Sequence, residues 1–153
     1  MMVEIGQQAP DFTLQNQHGE SVSINQFADV KNVVVVFYPF AFSRVCTGEL
    51  CELRDRIADV SDETTELLAI SCDHMFSLRA FADRDGYDFS LLSDFWPHGA
   101  VSSAYGVFSS DFGYSRRATV IVDRGGVVRW RVQNEMPDAR SVEDYRKVLD
   151  GLR

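Results

Sequence analysis

The sequence predicts an α/β sandwich with a mixed central sheet and flanking helices. Three observations carry this. An unbroken apolar run, Val33 to Tyr38, has the length and β-branched content of a fully buried strand, and it leads through a short loop into a helical pattern. Strand and helix signals then alternate down the chain. Near the end, Arg124-Gly125-Gly126 separates two apolar runs with a sequence suited to joining antiparallel strands, because glycine accepts positive φ.

The elements follow in order. Asp11 to Gln15 and Val22 to Ile24 read as short strands around a turn at His18 and Gly19, ahead of the strong Val33 to Tyr38 strand. After a loop with Pro39 and Phe40, the segment Glu49 to Ile57 spaces Leu50, Leu53 and Ile57 as one face of a helix. Glu66 to Ser71 reads as a buried strand, Met75 to Asp85 as a helix, Phe89 to Leu92 as a strand and Ala100 to Tyr105 as a helix. Ala118 to Val122 and Val127 to Val132 form the antiparallel pair. Ser141 and Asp144 have capping-box spacing and open a last amphipathic helix through Tyr145, Val148 and Leu152.

At 153 residues, 45% hydrophobic and 25% charged, the chain is sized for one domain, spanning residues 1–153. A formal net charge of -8 opposes partners that need concentrated Lys and Arg, namely nucleic acid and anionic membranes. The N-terminus lacks the basic segment and apolar run of a secretory signal, and Val33 to Tyr38 is too short to cross a bilayer, so the expected location is cytoplasmic. Three cysteines are too few for a disulfide scaffold, and an odd number suits a reducing compartment.

Cys46 lies within about one turn of the expected start of the helix that follows the buried strand. Unpaired backbone N–H groups and the helix dipole favour an anion there, so an accessible thiol at this junction is set up as a nucleophile. The alternative is a small buried residue packing under the helix. Arg116 and Arg117 are both cations near a strand start, and alternation sends their side chains in opposite directions, so only one can face the site.

The segment Tyr38-Pro39-Phe40-Ala41-Phe42-Ser43-Arg44-Val45-Cys46 resembles the active-site motif of peroxiredoxins, with proline, a hydroxyl residue and the nucleophilic cysteine at the family's spacing. The resemblance continues through Ala9-Pro10-Asp11-Phe12-Thr13-Leu14, Leu92-Ser93-Asp94-Phe95, Tyr105-Gly106-Val107 and Arg117 before Thr119 to Asp123. Within the family, Ser93-Asp94-Phe95-Trp96-Pro97-His98-Gly99-Ala100-Val101 looks most like the alkyl hydroperoxide reductase E branch. The resemblance implies a thioredoxin-like three-layer sandwich and a thiol-dependent peroxidase without a cofactor. In it, Cys46 attacks the terminal oxygen of hydrogen peroxide or an organic hydroperoxide and becomes a sulfenate. Ser43 and the Cys46 backbone N–H would hold the peroxide oxygens, Arg117 would stabilise thiolate and shifting charge, and Pro39 would shield the sulfur from water. Ser43 departs from the more usual threonine, losing the methyl group that stiffens the side chain.

Cys51 follows Cys46 at a spacing that resembles the bacterioferritin-comigratory branch, where the second cysteine resolves the sulfenate as an internal disulfide. On an intact helix these Cα atoms lie about 8 to 9 Å apart, beyond the roughly 7 Å a disulfide spans, so the first turn must unwind. Gly48 between them weakens the helix by about 1 kcal/mol relative to alanine. Otherwise an external thiol regenerates Cys46. Cys72 reads as a packing residue at a strand end, with resolution a lesser role for it, and His74 and His98 lack local metal-ligand spacing, so no metal is expected. The expected partners are a hydroperoxide, a thioredoxin or mycoredoxin-like or low-molecular-weight thiol reductant, and a second copy of the chain, with Phe42, Trp96 and Pro97 supplying apolar contact. Two other classes compete. A thioredoxin-like disulfide reductase would need two cysteines separated by two residues, which are absent, and a redox-sensing or holdase module would not turn peroxide over catalytically.

Overall fold

The computed structural model describes residues 1–153. Its main sheet contains β1 (Thr13–Gln15), β2 (Ser21–Ser23), β3 (Asn32–Phe37), β4 (Thr65–Ser71), β5 (Ser90–Ser93), β8 (Arg117–Val122) and β9 (Val128–Asn134), in the order β2-β1-β5-β4-β3-β8-β9. A separate two-stranded ribbon pairs β6 (Phe108–Ser109) with β7 (Tyr114–Ser115). The helices are α1 (Arg44–Asp55), α2 (Ile57–Val60), α3 (Met75–Asp85), α4 (Ala100–Ala104) and α5 (Val142–Asp150), with a 3-10 turn at Ile24–Phe27. β3 runs parallel to β4, and β4 to β5, while β3 pairs antiparallel with β8, and β8 with β9. The mixed sheet of the sequence reading is therefore present.

β3 explains the layering. Its side chains alternate, sending Val34, Val36 and then Tyr38 toward α1, α3 and α5, and Val33, Val35 and Phe37 toward Val101, Tyr105 and the N-terminal segment. Both faces are covered, so the run reads as continuously apolar. The result is a thioredoxin-like three-layer arrangement. The turn after β8 closes as expected, with Gly126 at φ 83.

Several boundaries differ from the sequence reading. α1 begins at Arg44, one turn before the apolar stripe shows itself, and it stops at Arg56, whose φ of -113 and ψ of 31 break the helix. Ile57, expected on the buried stripe, therefore opens α2 and is exposed, while Leu50 and Leu53 are buried. Ser141 stands at the N-cap of α5, but its side chain makes no capping hydrogen bond. The buried face of α5 is Val142, Tyr145 and Leu149, with Leu152 beyond the helix and packed at the core's edge. No helix is long and apolar enough to cross a membrane.

Candidate active site

The site forms where the C-terminal end of β3 meets the start of β8. Antiparallel pairing sets Phe37 opposite Ala118, which brings Arg117 beside Tyr38 and the loop into α1. Along β8, Thr119 and Ile121 point toward the α1 face, so Arg117 shares that face and Arg116 turns outward to solvent. Sheet geometry thus places Arg117, and not Arg116, on the face toward α1.

Cys46 lies in the first turn of α1, after the N-cap residue Ser43. Both terminal nitrogens of Arg117 face its sulfur, Nη1 at 3.6 Å and Nη2 at 3.5 Å. The Arg117 Nε donates to the Met136 carbonyl at 2.9 Å, fixing the plane of the guanidinium. The sulfur differs from the expectation in one respect: Cys46 is not accessible but 0% exposed, packed in the core beside Tyr38, Leu50 and Leu53. The early helix start turns its side chain inward, under the loop.

Pro39 is buried, and the loop after it is held by Asp73, whose carboxylate accepts from the Ala41 N–H at 2.8 Å and from the Ser71 hydroxyl at 2.7 Å. Phe42 adopts φ 69, a left-handed conformation unusual for a residue with a side chain. Ser43 Oγ donates to the Phe40 carbonyl at 3.1 Å rather than capping the helix, leaving its oxygen lone pairs free to accept.

Two residues of this cluster were not singled out in the sequence. Glu49, on the buried face of α1, bonds to Arg117 Nη1 and takes a fork from Arg140, with Nε to Oε2 and Nη2 to Oε1 both at 2.9 Å. The Arg140 backbone N–H also donates to Glu49 Oε2 at 2.6 Å, and its Nη1 donates to the carbonyls of Phe37 at 2.7 Å and Ala118 at 2.6 Å. Burial pushes the Glu49 carboxyl up, but the hydrogen bonds and charge of Arg140, with the charge of Arg117, hold it below its ordinary value. A signal for Glu49 existed: a charge three residues after Cys46 falls on the stripe that continues to Leu50 and Leu53. Arg140 carried none.

Cys51 is half-buried further along α1, its sulfur 3.3 Å from the Tyr87 hydroxyl. α1 is continuous between Cys46 and Cys51, and both are free thiols. Cys72 is buried against Ser115 Oγ at 3.5 Å, and burial pushes its thiol up, away from the reactive thiolate. His74 Nδ1 accepts from the Phe76 N–H at the start of α3, and the His98 ring bridges the Phe95 and Gly113 carbonyls. Trp96, Pro97 and Phe42 are exposed. A cleft of about 490 Å³ between β1 and the start of α3 does not include Cys46.

Residues 5–131 match the AhpC/TSA family. Alkyl hydroperoxide reductase E of Mycobacterium tuberculosis H37Rv is 42% identical over 151 residues, 99% of this chain and 97% of that protein. A chloroplastic peroxiredoxin Q of Sedum lineare is 34% identical over 149 residues, 97% of this chain and 78% of that one. The crystal structure of the peroxidoxin BcpB from Mycobacterium tuberculosis superposes with a TM-score of 0.86 at 26% identity, covering 100% of this chain and 99% of that one. The chain therefore belongs to the AhpC/TSA family of peroxiredoxins, the thiol-dependent peroxidases.

Proposed function

We propose that Cys46 is the nucleophile of this peroxidase, and that the Arg117 guanidinium facing its sulfur through two nitrogens is the observation that carries the assignment. The Cys46 thiolate attacks the terminal oxygen of a hydroperoxide, hydrogen peroxide or an organic one. The S–O bond forms as the O–O bond breaks, Cys46 becomes the sulfenic acid, and the leaving alkoxide or hydroxide takes a proton. Arg117 stabilises the thiolate and the charge moving onto the leaving oxygen, while Ser43 accepts a hydrogen bond from the peroxide and the Cys46 N–H donates one. Pro39 closes the site over the sulfur.

Cys51 then resolves the sulfenate as an internal disulfide, and a thioredoxin or mycoredoxin-like protein, or a low-molecular-weight thiol, returns the enzyme to the dithiol. The spacing of the two cysteines supports this second half, and the unwinding of α1 is its requirement. The chain works as one domain in the cytoplasm, paired with a second copy through the face bearing Phe42, Trp96 and Pro97. One equivalent of hydroperoxide added to reduced protein, followed by thiol trapping and peptide mass mapping, tests the cycle. A Cys46–Cys51 disulfide is expected; a persistent Cys46 sulfenate would remove Cys51 from it, and an unreacted Cys46 would sink the assignment itself.

A further inference from the structure

Resting on the reading of Cys51 as the resolving thiol, we infer that Tyr87 is a positioning residue that restrains both partners of the disulfide step. Gly86, at φ 71, ends α3 in a left-handed turn and folds the chain back so that Tyr87 enters the core beneath α1. Its ring is fixed edge-on to Phe81 and stacked on Phe89, with centroids at 5.1 and 5.3 Å. The hydroxyl is thereby held 3.3 Å from the Thr47 carbonyl, 3.3 Å from Cys51 Sγ and 3.2 Å from Asp85 Oδ2. Thr47 is in the turn that must unwind, and Cys51 is the thiol that must leave. Burial, Cys51 and Asp85 all push the Tyr87 hydroxyl up, so it stays protonated and remains a donor.

Arg84 completes the clamp from the same end of α3. Its Nη2 donates to Thr47 Oγ1 at 3.4 Å, and its guanidinium lies over the Phe42 ring at 4.8 Å, gripping the loop into α1. In the step itself, the Cys51 sulfur displaces hydroxide from the Cys46 sulfenic acid. The S–S bond forms, the S–O bond breaks, and the Cys51 proton leaves with the hydroxide as water. The Tyr87 contacts to Thr47 and Cys51 oppose the movement that precedes this, so Tyr87 lengthens the life of the sulfenate, during which a second peroxide carries Cys46 to the sulfinate.

Tyr87→Phe keeps the ring packing and removes only the hydroxyl. Rapid-quench mass spectrometry after one equivalent of hydroperoxide gives the rate of sulfenate formation and the rate of disulfide formation separately. The ratio of disulfide rate to sulfenate rate is expected to rise about five-fold, the factor one net hydrogen bond supplies, and the sulfinate share in excess peroxide to fall. Arg84→Met, which retains an apolar stem, should raise the same ratio if Tyr87→Phe folds poorly. An unchanged or lower ratio overturns the inference while Cys51→Ser still accumulates sulfenate. If Cys51→Ser leaves sulfenate decay as it was, the resolving role of Cys51 fails and takes this inference with it.

Discussion

Replacing Gly48 with alanine tests the unwinding of α1 directly. Gly48 is exposed in the middle of α1 between the two cysteines, and a Cβ built on it meets nothing within 4 Å. The substitution therefore adds no clash and changes only the tendency of the segment to stay helical, by about 1 kcal/mol. If disulfide formation requires this segment to leave the helix, the whole of that difference opposes the step, and the disulfide rate falls about five-fold. Native stability gains the same amount, raising the thermal midpoint by about 2 to 4 °C for a chain of this size. Attack on peroxide, which precedes disulfide formation in the proposed cycle, is expected to keep its rate. Thiol trapping at timed intervals after one equivalent of hydroperoxide follows both steps, and a thermal melt of the reduced protein measures the stability. A raised midpoint with an unaltered disulfide rate would refute the reasoning, since α1 would then be stabilised without delaying the reaction said to need its unwinding. A lowered midpoint would refute the propensity argument itself.

Arg117→Ala should lower the second-order rate with hydroperoxide by about 10²- to 10³-fold, the usual effect of losing one preorganised charge at a reacting centre. Stopped-flow kinetics with the folded variant checks this, and a loss under tenfold would leave Arg117 without the proposed role. Glu49→Gln leaves Arg117 and Arg140 facing one another around a neutral amide and should destabilise the protein by about 3 to 5 kcal/mol, read from the urea midpoint. The acid dependence follows with a definite sign. Because the folded Glu49 carboxyl titrates below its ordinary value of 4.5, its stabilisation is full above that pH and drains as pH falls through the folded value. Glu49→Gln should therefore flatten the fall of stability below about pH 4.5; an equally steep fall in the variant would show that this carboxylate is not its source.

The sheet was readable because its centre carries an unusually strong pattern: Val33 to Tyr38 is apolar on every position and buried on every position. That Cys46 and Arg117 lie together was legible for a different reason, since their spacing to Pro39 and Ser43 and to the β8 strand resembles a known motif. What escaped falls into two kinds. Short structures such as the β6–β7 ribbon, with two residues per strand, have no period to detect. Glu49 and Arg140 lie 91 residues apart and stabilise one another only once the chain has folded, so neither charge shows locally that it is buried. Ile57 fits a helical stripe in sequence, but Arg56 turns the chain, where it pairs with Asp59 and with Glu143 of α5. The burial of Cys46 has the same origin: helix propensity sets the start of α1 loosely, and the packing of Tyr38 and Leu50 decides it.

The position of Glu49 bears on which part of α1 can move. Arg140 joins Glu49 to the carbonyls that end β3 and begin β8, so lifting Glu49 away would strand two buried guanidiniums, a loss of several kcal/mol. Residues Arg44 to Gly48 have no comparable ionic tether; what holds them is the packing of Cys46 in the core, the clamp on Thr47 and the contact between Arg117 and the Cys46 sulfur. The less costly path is therefore for Cys46 to travel toward Cys51 about a pivot near Gly48, with Glu49 left in place. Oxidation bears on this movement. In the proposed cycle, attack on peroxide adds an oxygen to the sulfur that Arg117 faces, so the guanidinium's contact with that sulfur is changed when the first turn has to open. On the proposed cycle, the same guanidinium holds the first turn beside the core before the peroxide reacts, and Tyr87 and Arg84 restrain the opening that follows.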